Sequence, residues 1–355
     1  MSHNITDIDT VVRPYGSKYR TWHGLDKVSY DSLENVEVAR RFHLLPEVEK
    51  TPLFIHPKTE SLRPEILKVP NFQALTTRDK NDASVTLDVV SDRYSIIQNE
   101  QVLETMINAF KGTDLEYRIS CMGTLGGLKK FFVSVAVGED DGEFIVNGDR
   151  FYSNLNFITH HDGGSFHTHD SRTRIVCDNT LRASMNGTKN VDLKIRHKGD
   201  TTTKCADLSR YLNDVFTSRE VFKEQMETLA AHKVGGDDIR QVVGGFFVTE
   251  AFKRGEKLED GFKTRSLNMI DGITDLAISG RGNSGQSLYD VLNGATEFWT
   301  SGDGVGRTAT AGKKAYSSEF GTAANNKEKF ADYLTSGRFQ STDLEANTQR
   351  ILALA

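Results

Sequence analysis

Cysteine is scarce in this chain: 3 residues in 355. Cys121, Cys177 and Cys205 stand far apart and form no CxxC pair. That excludes a disulfide scaffold and a cysteine zinc site, and it fits a reducing compartment. Long apolar runs are missing too, and the mean hydropathy is -0.45, so no membrane-spanning helix is expected. No basic, apolar and small-residue leader opens the chain, and the expected location is the cytoplasm. Positive charge does not dominate. Lys and Arg number 44 against 49 Asp and Glu, a formal net charge of -5. The surface as a whole therefore does not attract nucleic acid, and any such binding must come from a local basic strip.

Catalytic signatures are also lacking. There is no G-x-S-x-G elbow and no H-E-x-x-H pair. Gly280-Arg281-Gly282-Asn283-Ser284-Gly285-Gln286-Ser287 has the spacing of a phosphate-binding P-loop, but Gln286 stands where that loop needs lysine. No clear apolar strand precedes it, and a flexible linker is the expectation. Glu139, Asp140 and Asp141 read as a solvated loop. Cys177, beside Asp178 in an apolar helix start, reads as a buried structural thiol. The expectation is a protein that is not an enzyme and carries no cofactor.

What is present points to an α+β protein. Prolines number 6 and glycines 30, a composition of hinges and hairpins rather than stiff linkers. Residues 1–80 read as an N-terminal arm with little structure beyond a short helix over 36–45, interrupted by Pro46, Pro52, Pro57 and Pro64. Residues 81–234 read as an α+β core. Val85, Leu87 and Val89 suggest a strand. Val102, Leu103, Met106, Ile107 and Phe110 form one helical stripe that Gly112 ends. Alternating strands follow over 117–122 and 131–137, and Asn147-Gly148 marks a two-residue hairpin. Along the next strand Phe151, Leu155 and Phe157 are expected to face the core and Arg150, Tyr152, Asn154 and Asn156 the other way. A helix is expected over 175–185, a strand over 191–196 and a long amphipathic helix from Leu208 to Leu229. Residues 235–355 read as a helical region interrupted by glycine. The fold class is an antiparallel β-meander with helices packed on one face, plus a helical C-terminal part.

Two clusters carry candidate chemistry. Five of the ten histidines lie between His160 and His197. If Gly163-Gly164 makes a hairpin loop, His160 lies across from His167, and His169 shares that face by the two-residue strand period. Three imidazoles so placed could hold Zn²⁺ or a similar ion, which makes a metal-binding protein or a histidine-cluster enzyme one reading. The second cluster is cationic. Arg174, Asp178 and Arg182 fall on one face of the expected helix. With Lys129, Lys130, Arg150, Tyr152, Arg172, Arg196 and Lys198 they could line a groove that follows phosphates while the tyrosine stacks on a base.

Asp92-Arg93-Tyr94, Ile97-Gln98-Asn99, Gly123-Thr124-Leu125-Gly126-Gly127, His161-Asp162-Gly163, the run from Arg174 to Leu181, and Ile195-Arg196-His197 form an ordered series of motifs. The series resembles a phage/plasmid-like family, domain of unknown function 932. Trp22-His23-Gly24-Leu25-Asp26 and Asn293 with Ala295-Thr296-Glu297-Phe298 extend it, while Tyr289 stands where that family is expected to have tryptophan. The resemblance implies a phage or plasmid origin, and so the cytoplasm of a host. The order of helix, antiparallel strands and helix is similar to that of single-strand annealing proteins of the Rad fifty-two type and phage Erf and Sak. That likeness implies single-stranded DNA as partner, annealing in recombination or replication as function, and a homo-oligomer built through strand edges or the 208–229 helix. A structural or host-interaction protein without nucleic-acid binding is the third reading.

Overall fold

A computed structural model of the chain describes residues 7, 9–14, 28–30, 35–56, 66–111, 113, 115–138, 143–174, 179–182, 194–195, 197, 208–259, 261–300, 317 and 321–354. The class is α+β with a helical C-terminal part. The chain forms two compact units, each assembled from three stretches: Met1–Asp141, Asn154–His169 and Asp192–Asp214 in the first, Gly142–Ser153, Asp170–Val191 and Val215–Ala355 in the second.

The first unit holds two sheets. Strands β3 (Glu49–Ile55), β4 (Leu67–Arg78) and β5 (Ser84–Ser91) form a three-stranded antiparallel sheet. Strands β3 and β4 lie where an arm with little structure was expected. The prolines that suggested a broken coil are compatible with an edge strand, whose outer N–H groups need no ladder partner, and β3 carries Pro52 while pairing with β4 alone among the described residues. The apolar face of this sheet buries Val48, Leu75, Leu87 and Val90 with Leu128. Helix α1 (Asn35–Arg41) precedes it, as the sequence predicted.

The larger sheet is built on β6 (Tyr117–Leu125), β7 (Lys130–Val137) and β9 (Asp149–His160), antiparallel in that order. On one side β1 (Val11–Pro14) pairs with β6, and β2 (Val28–Tyr30) joins β1 in parallel, a departure from a purely antiparallel meander. On the other side lies β10 (Phe166–Arg174), to which β12 (Lys194–Ile195) is paired. Helix α2 (Asn99–Lys111) buries Val102, Leu103, Met106 and Phe110 of the expected stripe, with Ile107 half-buried at its edge. Phe110 stacks on Tyr117 at 4.4 Å and meets the edge of Phe157 at 6.4 Å.

Both faces of β9 are covered, so the side chains expected to face away from the core are largely buried as well. Tyr152, Asn154 and Asn156 are buried like their neighbours. The asparagines are paid for by partners: Ser120 Oγ donates to Asn154 Oδ1 at 2.8 Å, and Ser134 Oγ donates to Asn156 Oδ1. Polar side chains can thus line a covered sheet face once each has a hydrogen-bond partner.

In the second unit β8 (Glu143–Val146) forms a hairpin with the start of β9, and Asn147 and Gly148 both have positive φ, as the sequence predicted. β11 (Asn179–Arg182) pairs with the end of β10. It replaces the middle of the helix expected over 175–185. Arg174 and Arg182 therefore lie on adjacent strands rather than on one helical face, and Asp178 lies outside the described residues. Cross-strand pairing here outweighs the helical spacing. Helix α3 (Leu208–Ala231) from Val215 onward, with α4 (Gly236–Lys253), α5 (Thr264–Ser279), α6 (Leu288–Thr300), α7 (Thr322–Thr335) and α8 (Thr342–Ala353), completes the unit, with a 3-10 turn at Arg338–Gln340. All residues of α6 are buried, the mark of a central core helix. A Cβ on Gly294 would lie 2.4 Å from Ala277 N, so glycine sets the close approach of α5 and α6. Among the described residues no helix is long and apolar enough to cross a membrane.

The glycine-rich stretch expected to be a linker is folded around one carboxylate. Asp290 accepts from the amides of Ser284, Gln286 and Ser287, each at 3.1 Å, and from the Ser284 and Ser287 hydroxyls. Burial would raise its pKa, but the amide and hydroxyl hydrogen bonds outweigh that and hold it below the usual carboxylate value. The amides that a P-loop would offer to phosphate are taken by Asp290. Asp290→Asn puts an amide group among these donors, and a loss of about 2–4 kcal/mol in unfolding free energy is expected. Urea denaturation followed by circular dichroism checks it; an unchanged midpoint would mean that the loop does not depend on the carboxylate.

Candidate functional site

The turn that leads into β7 is the first determinant. Gly126, Gly127 and Leu128 all have positive φ. The Asp9 carboxylate accepts the Gly127 and Leu128 amides at 2.8 Å each, which holds this strained turn. The Lys129 carbonyl then accepts the His161 amide at 2.7 Å, tying the turn to the end of β9.

Strand register brings the two sequence clusters together. Lys130 on β7 is the Cα partner of His160 on β9. The His160 and His167 rings lie 5.0 Å apart. His167 on β10 is the Cα partner of Lys194 on β12. Cα partners in antiparallel strands project to the same face, so Lys130, His160, His167 and Lys194 form one row across four strands. Gly164 makes room for it, because a Cβ there would lie 2.6 Å from His160 Cβ. Asp162 sits inside the row, with Oδ1 at 3.1 Å from His160 Nδ1 and Oδ2 at 3.5 Å from Lys130 Nζ. Burial would push the Asp162 pKa up; the His160 hydrogen bond and the Lys130 charge prevail and bring it down to about 2. Among the described residues Lys129 and Lys194 have no carboxylate partner.

Behind the row lies a buried histidine pair. Asn99 Nδ2 donates to the Leu44 carbonyl at 2.9 Å, which turns its Oδ1 toward His161 Nε2 at 2.8 Å. His161 therefore carries its proton on Nε2, and its buried Nδ1 has no hydrogen-bond partner among the described residues. His197 Nδ1 donates to the Ser95 carbonyl at 3.1 Å while the Ser95 amide donates back to the His197 carbonyl at 3.0 Å. Tyr94 stacks on His197, with centroids 4.9 Å apart and planes 8° apart, and its hydroxyl donates to the His160 carbonyl at 2.9 Å. Beside this stack opens a cavity of about 580 Å³ lined by Asn71, Ser91, Asp92, Arg93, Tyr94 and His197.

Other expected site residues lie elsewhere. Arg150 is exposed and paired with Glu143. Arg172 is fully buried, donates to Asp170 Oδ2 at 2.6 Å and lies over the Phe222 ring at 4.6 Å. Tyr152 is buried and offers no ring to a strand in solvent. These three belong to the second unit and do not form a groove: one cation is neutralised at the surface, the other in the core. The side chains of Arg174, Arg182 and His169 lie outside the described residues, as do Arg196, Lys198, Cys177, Glu139, Asp140 and Asp141. Among the described residues no group of three or more His, Cys, Asp or Glu is placed to hold a metal ion. Lys194, Arg93, Tyr94 and His197 were missed as site residues. The signal was there, since three of them fall in the Asp92-Arg93-Tyr94 and Ile195-Arg196-His197 motifs, but spacing along the chain does not show that these meet.

The buried imidazoles make this unit sensitive to acid. Burial lowers the His161 pKa from 6.5 to about 3, helped by His197, and lowers that of His197 to about 4 against the hydrogen bond to Ser95. In the unfolded chain both bind protons near 6.5. Their contribution is thus fully present above that value and is lost as pH falls through the window toward 4 and 3. Between pH 6 and 5 the slope approaches about 1.4 kcal/mol per pH unit for each histidine. Urea denaturation at stepped pH measures it, and His161→Gln with His197→Gln should flatten the curve. An equal slope in the double variant would refute the assignment.

Comparison with known proteins agrees with the motif series. No curated protein and no solved structure matches the chain. A family model does, over residues 86–320, which include the Tyr94, His161 and His197 motifs that meet at the row and cavity. The chain therefore belongs to the family described as domain of unknown function (DUF932).

Proposed function

We propose that this protein binds single-stranded nucleic acid, holding its phosphates along the Lys130–His160–His167–Lys194 row with Lys129 beside it. The observation that carries the reading is the register that lines up basic side chains from four strands. Adjacent strands are about 4.8 Å apart, so the row is long enough to meet more than one phosphate of an extended strand. Asp162 is countered from both sides by Lys130 and His160, and the row remains net basic within an acidic chain. Lysine and arginine neutralise a backbone without reading its sequence, and bases stay accessible for pairing. That is the behaviour annealing of DNA strands in phage or plasmid recombination would need, and an array of copies would lengthen the row. The reading is of a binding protein rather than an enzyme.

Fluorescence anisotropy of a labelled 20-nucleotide oligothymidylate tests it. With Lys129 and Lys194 on phosphates, the logarithm of affinity should fall against that of salt with a slope of about -1.4, or about sevenfold between 50 and 200 mM. Lys194→Glu should weaken binding about tenfold and make the slope shallower by about 0.7. Absence of binding at 50 mM salt, or binding indifferent to salt and to Lys194→Glu, would sink the proposal.

A further inference from the structure

We infer that the cavity lined by Asn71, Ser91, Asp92, Arg93, Tyr94 and His197 takes one unstacked nucleotide of the bound strand, its base against the Tyr94 ring and its phosphate at Arg93. The inference rests on the proposed binding along the row and adds to it a site for a base.

Position is the first argument. The Tyr94 hydroxyl bonds the carbonyl of His160, a member of the row. The cavity wall and the row therefore share the His160 backbone as a common anchor. Preorganisation is the second. The Tyr94 ring lies flat on His197, and His197 is fixed by reciprocal bonds with Ser95 and by Thr159 Oγ1 at 3.5 Å. Tyr94 is also packed against the Val48, Leu75, Leu87, Val90 and Leu128 cluster, and a ring so held loses little conformational freedom when a base packs against the part that lines the cavity. Charge is the third. Arg93 is exposed and, among the described residues, has no carboxylate partner, whereas its neighbour Asp92 is engaged by Gln73 Nε2 at 2.8 Å. A guanidinium without a carboxylate beside an aromatic ring presents the two features a nucleotide needs, a fork for phosphate and a flat apolar face. Asn71 and Ser91 add polar groups at the rim, and about 580 Å³ suits a ligand of that size.

The same chemistry would accept a free mononucleotide, so the test has separate arms. Wild type and Arg93→Gln are titrated with three probes: the 20-nucleotide oligothymidylate, inorganic polyphosphate of matching charge, and thymidine monophosphate. Melting temperatures confirm that Arg93→Gln is folded, which its exposed position favours. The expected result is a five- to tenfold loss of oligonucleotide affinity in Arg93→Gln with polyphosphate affinity unchanged, and weak saturable binding of the mononucleotide that the variant loses. Binding of the mononucleotide with no binding of either polymer would keep the cavity as a nucleotide site, overturn its place on a strand and refute the row. Equal binding of oligonucleotide and polyphosphate, affected alike by Arg93→Gln, would overturn the cavity and leave the row standing.

Discussion

The register between β7 and β9 is the constraint on which the first unit depends. It makes Lys130 and His160 partners, and by the two-residue period it decides that the next residue, His161, points away from the row and into the core. A shift by one residue would exchange those roles. It would also separate Ser134 from Asn156 and leave buried polar groups without partners. The Asp9 clamp on the turn before β7 acts in the same direction, because it sets where the strand starts. Surface chemistry and core hydrogen bonding are thus coupled through one ladder.

A second consequence is the division of labour among the histidines. His160 and His167 lie half-buried on the row, whereas His161 and His197 are buried and held neutral. The neutral pair has structural partners, Asn99 for one and Ser95 for the other. Through Tyr94 these contacts fix the aromatic wall of the cavity. The loop of Asp92, Arg93 and Tyr94 is thereby placed by residues about a hundred positions away in the chain, and its exposed Arg93 is carried on a rigid base.

The sequence was informative wherever one interaction dominated over a short span. The stripe of α2, the Asn147-Gly148 hairpin and the strands over 117–137 follow from periodicity and turn chemistry, and the structure has all three. It misled where long-range pairing competes with local spacing. Residues 179–182 have helical spacing but pair with β10. The glycine-rich loop is ordered by a carboxylate of the following helix, which gathers the loop's amides and its Ser284 and Ser287 hydroxyls. The candidate site was half legible. Lys129, Lys130, His160 and His167 were recognised, but as members of two competing clusters, and nothing in their spacing brought in Arg93.

Composition, periodicity and motif order determined by themselves that this is an α+β protein of the DUF932 family with a helical C-terminal part. Those are local properties, set by residues within a few positions of one another. Tertiary structure decided which cations are available. Arg150 and Arg172 were equivalent to Lys129 and Lys194 as letters, yet one meets Glu143 and the other is buried against Asp170, whereas no carboxylate faces Lys129 or Lys194 among the described residues. The charge of a side chain is written in the sequence. Whether a carboxylate from another strand neutralises it depends on register and burial, which only the folded chain sets.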